Sequence, residues 1–124
     1  MQRHGSMRTG PAGRALSLLV VAFLPVAMLG WILSANEYAD QGIRGAVDCD
    51  GPLGVMLFAV PSLGVYAAGA VHHAALLRGA RRSRSAALLL VLCVGMVFAS
   101  GRKIRAAYGE KTRPEHRETC GEGW

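Results

Sequence analysis

Asp, Glu, Lys and Arg are absent from three long stretches of the chain, residues 15–35, 52–77 and 86–101, and crowd into the segments between and beyond them. Within each stretch the apolar residues follow neither the alternation of a half-buried strand nor the single stripe of a surface helix. A helix that is apolar all round needs an apolar surround, either the core of a large protein or lipid. By composition alone a chain of 124 residues, 52% of them hydrophobic, could be a compact soluble domain, and it is the clearing of charge from three blocks that points to lipid. The expected fold is therefore an all-α integral membrane protein with three transmembrane helices.

The first stretch, residues 15–35, is long enough at 1.5 Å per residue to cross a hydrocarbon layer about 30 Å thick. Pro25 removes a backbone donor inside it and predicts a kink. Arg3, Arg8 and Arg14 ahead of it, with the small residues Ser34 and Ala35 at its end, also fit a secretory leader. The apolar run exceeds the 7 to 15 residues of a leader, which favours an uncleaved anchor. The second stretch, residues 52–77, is longer than a bilayer requires and predicts a tilt, a kink at Pro61, or emergence near His72 and His73. Asp50 and Gly51 followed by Pro52 suit its start. The third, residues 86–101, covers only about 24 Å. It spans if the helix runs on to Tyr108, giving a segment 86–108 in which Arg102 and Lys103 turn toward the headgroups.

The remaining segments are a basic N-terminal tail, 1–14, an acidic loop, 36–51, an Arg-rich loop, 78–85, and a polar tail, 109–124. Arginines 3, 8 and 14 precede the first span, and Arg78, Arg81, Arg82 and Arg84 follow the second, whereas the first loop carries only Arg44. Positive charge favours the cytoplasmic side, so the N-terminus is expected there and the C-terminal tail outside. The tail opposes this, because Arg102, Lys103, Arg105, Lys111, Arg113 and Arg117 bring Lys plus Arg to seven on each side. Mixed charge, Pro114 and late glycines predict a loosely ordered tail, with Trp124 as a weak interfacial anchor.

The formal charge of +6 comes from basic residues beside apolar blocks. There they meet lipid headgroups, which argues against a nucleic-acid partner. Arg far outnumbers Lys, and Ala, Gly, Leu and Val are abundant, a usage that fits a GC-rich bacterial source and hence the plasma (inner) membrane. The lipid bilayer is the partner implied by the spans themselves.

Candidate chemistry is sparse. Three spans put Cys49 and Cys120 on one, non-cytoplasmic side, where they are candidates for a disulfide, while Cys93 sits in a span as a small apolar side chain. His72 and His73 are adjacent and thus about 100° apart around a helix, so they do not share a face as an i,i+4 metal-binding pair would; an interfacial role is expected, with proton handling as the alternative. Asp48 and Asp50 lack the later acids of a calcium loop, and the cysteines lack C-x-x-C spacing. No nucleotide-binding or nucleophile-elbow motif occurs. No acid lies within a span, as an ion-coupled transporter would need. Neither a cofactor nor an enzymatic activity is expected. Gly64 with Ala68, and Gly95 with Ala99, place small residues four apart on one helical face, where they suit packing within the chain or against a homo-oligomeric or foreign membrane partner. The function that fits is an accessory or structural subunit of a membrane complex; the alternative is a component of an oligomeric channel or transporter.

Overall fold

The computed structural model describes residues 10–79 and 83–121. Six helices follow one another: α1 (Pro11–Ala22), α2 (Leu24–Ile32), α3 (Glu37–Asp40), α4 (Gly51–Arg78), α5 (Arg84–Lys111) and α6 (Pro114–Cys120). No strand occurs among the described residues. Three units are long and apolar enough to cross a membrane: α1 and α2 together, Pro11–Ile32, then α4 and α5.

The first span starts on Pro11, four residues before the charge-free stretch, because proline is preset for the first helical turn. It breaks at Phe23, two residues before Pro25. The proline ring has no N–H for the Val21 carbonyl and crowds it, so the kink falls where the sequence predicts one. α4 opens on Gly51 and Pro52, with the Asp48 carboxylate accepting from the backbone N–H of Gly51 at 3.0 Å and of Asp50 at 3.2 Å. These bonds satisfy donors that the helix start leaves free. α4 then continues through Pro61 as a single helix, with the buried Ser62 hydroxyl donating to the Phe58 carbonyl at 2.6 Å. α5 carries the third stretch past Arg102 and Lys103 to Lys111; 28 residues make about 42 Å, enough to cross.

The order predicted for the tail is corrected. Residues 109–111 complete α5, and α6 forms beyond them, started by Pro114 with Glu115 in its first turn and Arg117 in its last. Each charge complements the dipole at its end of the helix. Arg3, Arg8, Arg81, Arg82 and Trp124 lie outside the described residues.

α4 and α5 form the main helix pair, and α1 and α2 lie against it. The buried residues of α4 are Pro52, Val55, Ala59, Ser62, Tyr66, Gly69 and His73. From Val55 onward they are spaced alternately by four and three. On α5, Ala86, Cys93, Ser100 and Ala107 fall seven apart, and on the first span Val20 and Ala27 do the same. This is the seam of a left-handed helix pair. Val20, Ala27, Tyr66 and Cys93 form one cluster, and Val55, Ala59 and Ala107 another. The Tyr66 hydroxyl donates to the Val20 carbonyl at 3.1 Å.

The bulky apolar side chains point the other way. Leu18, Ile32, Val71, Leu88, Val91 and Phe98 are each 68 to 75 % exposed. The seam thus mixes small and polar residues with Val20, Val55 and Tyr66, while many of the Leu, Ile, Val and Phe side chains face outward. So large an exposed apolar surface does not suit water and suits lipid, where small residues are enriched between helices.

Candidate functional site

The polar side chains collect at the end of the bundle formed by the 33–50 connection, the last turns of α5, and α6. Asn36 caps α3, its side-chain oxygen accepting from the Ala39 N–H at 3.2 Å. Its amide nitrogen donates to the Ala46 carbonyl at 3.1 Å and to Glu110 Oε1 at 2.6 Å. Glu110 lies three residues beyond Ala107 on the seam, which explains why a carboxylate at a helix end is only 9 % exposed. Its second oxygen pairs with the Arg113 guanidinium at 3.3 Å. One buried carboxylate thereby joins the first connection to α5 and to the start of the tail. Lys103 adds a second tie, donating to the Leu33 carbonyl at 2.9 Å. The Ser34 hydroxyl donates to the Asp40 carboxylate and accepts from the Asn36 N–H.

Cys49 and Cys120 are joined as a disulfide at the same end, with Cα atoms 5.6 Å apart across a separation of 71 residues. Beside it, His116 of α6 is buried and its Nε2 has no partner among the described residues.

Two clefts flank the Asn36–Glu110–Arg113 cluster. The larger, about 860 Å³, runs between the α2–α3 segment and α5, from Gly95, Phe98 and Trp31 at its apolar end to Arg102, Lys103 and Arg113 at its charged end. The smaller, about 490 Å³, lies between residues 42–47 and α6, with Glu115 and His116 on its wall.

The small-residue pairs do not pack within the chain. Gly64 and Ala68 are exposed, and a Cβ added at Gly64 would meet nothing within 4 Å. Gly95 is exposed and equally open, and it lines the larger cleft with the half-buried Ala99. Close approaches between the helices fall instead at Gly69, where an added Cβ would lie 2.8 Å from both Cys93 Sγ and Val20 Cγ2, and at Gly30, where it would lie 3.3 Å from the backbone nitrogen of Ala59 on α4. The interfacial placement expected for the histidines is corrected for His73, which is only 1 % exposed because it continues the four-three spacing from Tyr66 and Gly69. Neither of its ring nitrogens, nor His72 Nε2, has a partner among the described residues, and the two rings meet edge to face, 5.3 Å between centroids. Among the described residues no three His, Cys, Asp or Glu side chains gather as a metal site would require.

Sequence reasoning missed Asn36, Glu110 and Gly69. A signal existed for two of them: Glu110 and Gly69 both fall on the periodic seam, and Glu110 is the one acid that does. No protein-family model, curated protein or solved structure matches this chain.

Proposed function

We propose that this protein is a non-enzymatic accessory subunit of a membrane complex, held in the plasma (inner) membrane of a bacterial cell and presenting one face of α4 to a helix of a foreign partner. The carrying observation is the outward placement of Gly64 and Ala68, between the exposed Leu57 and Val71, when the chain's own bundle uses Gly69 instead. In a bilayer, helices associate by close backbone approach, and small residues are what permit it. The N-terminus lies in the cytoplasm and the disulfide end outside. The arginines before the first span support that orientation, as does the Cys49–Cys120 bond, since such bonds persist in oxidising compartments.

The test is extraction of a tagged chain in mild detergent, followed by native mass spectrometry of the intact assembly. A foreign membrane subunit in fixed ratio is expected. It should be lost on Gly64→Leu with Ala68→Leu while the disulfide stays intact. A homogeneous homo-oligomer that conducts ions in liposomes would overturn this reading in favour of a pore. A lone monomer would overturn both.

A further inference from the structure

The larger cleft has a shape and charge that neither its own bundle nor the α4 face uses. Along α5 it extends from Gly95 to Glu110, about 22 Å of helix. Its inner half lies in the charge-free stretch, where Gly95 and Ala99 leave space and the aromatic rings of Trp31 and Phe98 form the walls. Its outer half holds three basic side chains, Arg102, Lys103 and Arg113, and two acids, Asp40 and Glu110.

Glu110 holds Asn36 and is paired in charge with Arg113, whereas Asp40 accepts from the neutral Ser34 hydroxyl and keeps its charge, so the remaining balance is Arg102 and Lys103 against Asp40. Arg102 is exposed and forms no ion pair among the described residues. Lys103 bonds one neutral carbonyl, which leaves an ammonium with further donors and no counter-charge at that bond. The balance at the charged end is therefore cationic, one helical turn from an apolar trough.

We propose that this cleft binds an anionic phospholipid, with the phosphate held by Arg102 and Lys103 and the upper acyl chain lying between Trp31 and Phe98. The charged end alone would accept any phosphate. The trough selects a lipid, because a soluble anion leaves it empty. A partner helix would have to bring its own acid to Arg102, whereas every anionic phospholipid carries one at headgroup depth. The site is separate from the Gly64–Ala68 face, so the two proposals fail independently.

Trp31 provides the probe. The full chain, disulfide intact and carrying Trp124→Phe so that Trp31 is its one tryptophan, is placed in phosphatidylcholine nanodiscs. Acyl-brominated phosphatidylglycerol or acyl-brominated phosphatidylcholine is added at equal mole fraction, and Trp31 quenching is measured. Two basic side chains at the headgroup level, one of them offset by Asp40, should favour the anionic lipid by roughly five- to thirtyfold. Arg102→Gln with Lys103→Gln should reduce that preference to about twofold or less. Arg105→Gln, which removes an exposed charge from the same helix outside the cleft, should retain it. Equal quenching by the two lipids would overturn the proposal, as would a preference that survives the double substitution. Displacement of the brominated anionic lipid by millimolar inorganic phosphate would also overturn it, because the site would then recognise the free anion.

Discussion

Gly69→Ala tests the packing of the bundle at the point where three helices meet. The added methyl group would lie 2.8 Å from Val20 Cγ2 on α1 and from Cys93 Sγ on α5, and both of those side chains are fully buried. Carbon atoms pack best at about 3.5 to 4.0 Å, so both side chains must leave their places by more than half an ångström, through a change of rotamer or a shift of the helices that carry them. Overpacking of this kind costs about 1 to 3 kcal/mol, and replacing a mid-helix glycine by alanine returns about 0.5 to 1. The two terms leave a net loss of up to about 2.5 kcal/mol, centred near 1, read as a lower unfolding midpoint in mild detergent and as roughly fivefold faster reaction of the Cys93 thiol with a small alkylating reagent. The same chemical change at Gly64, which has nothing within 4 Å, should leave the midpoint unchanged or raise it. Adding Cys93→Ala to Gly69→Ala removes one of the two clashing atoms and should recover part of the loss, a coupling measurable in a double-mutant cycle. The seam would be refuted if Gly69→Ala were as stable as the parent or behaved like Gly64→Ala.

Three other substitutions probe features that act independently of that contact. Glu110→Ala strips the Asn36 amide and the Arg113 guanidinium of their common acceptor and should lower the unfolding midpoint by the equivalent of about 1 to 3 kcal/mol, with Glu110→Gln, which keeps an acceptor for Asn36 and loses only the charge, costing less; equal effects would mean that the Asn36 hydrogen bond contributes nothing and the Arg113 pairing carries the whole loss. His73→Leu replaces a buried ring whose two nitrogens lack partners among the described residues with an apolar side chain of similar size, so the midpoint should stay level or rise, and a clear fall would show that the ring is hydrogen-bonded within the bundle. Cys49→Ser releases a loop of about 70 residues and should destabilise by at most about 4 kcal/mol, less to the extent that inserted helices already restrict the unfolded chain; unchanged gel mobility on reduction of the parent would show that the bond is absent.

The first two spans were legible because removal of charge over twenty or more residues is a signal that depends only on the energy of ions in lipid, whereas the third, clear of charge over 86–101 only, needed its helix to run on past Arg102 and Lys103. The kink near Pro25 followed from one missing donor. Which face of each helix turns inward was harder to see. In lipid the usual rule reverses, and the inward positions carry Ser62, Gly69, His73, Cys93 and Ser100, while leucine and isoleucine face outward. The sequence holds this pattern in its four-three and seven-residue spacings, yet a search for paired small residues finds Gly64–Ala68 as readily as Gly69, and only the neighbours of each glycine separate them. The polar end was least legible. Asn36 and Glu110 stand 74 residues apart, and nothing local to either announces the other. The helical tail likewise owes its placement to a covalent bond and a buried histidine, both of which depend on the rest of the fold.

Three membrane crossings imply that Cys49 and Cys120 share one side and that the connection between α4 and α5 lies on the other. The decisive measurement uses the Cys93→Ala chain, reduced and treated in sealed membranes of known orientation with a maleimide that cannot cross lipid, together with a reporter thiol installed by Ser83→Cys. Cys49 and Cys120 should label from the same face, and position 83 only after permeabilisation or from the opposite face. Labelling of Cys120 together with position 83, and apart from Cys49, would mean that α5 does not cross, and the three-span account would be wrong.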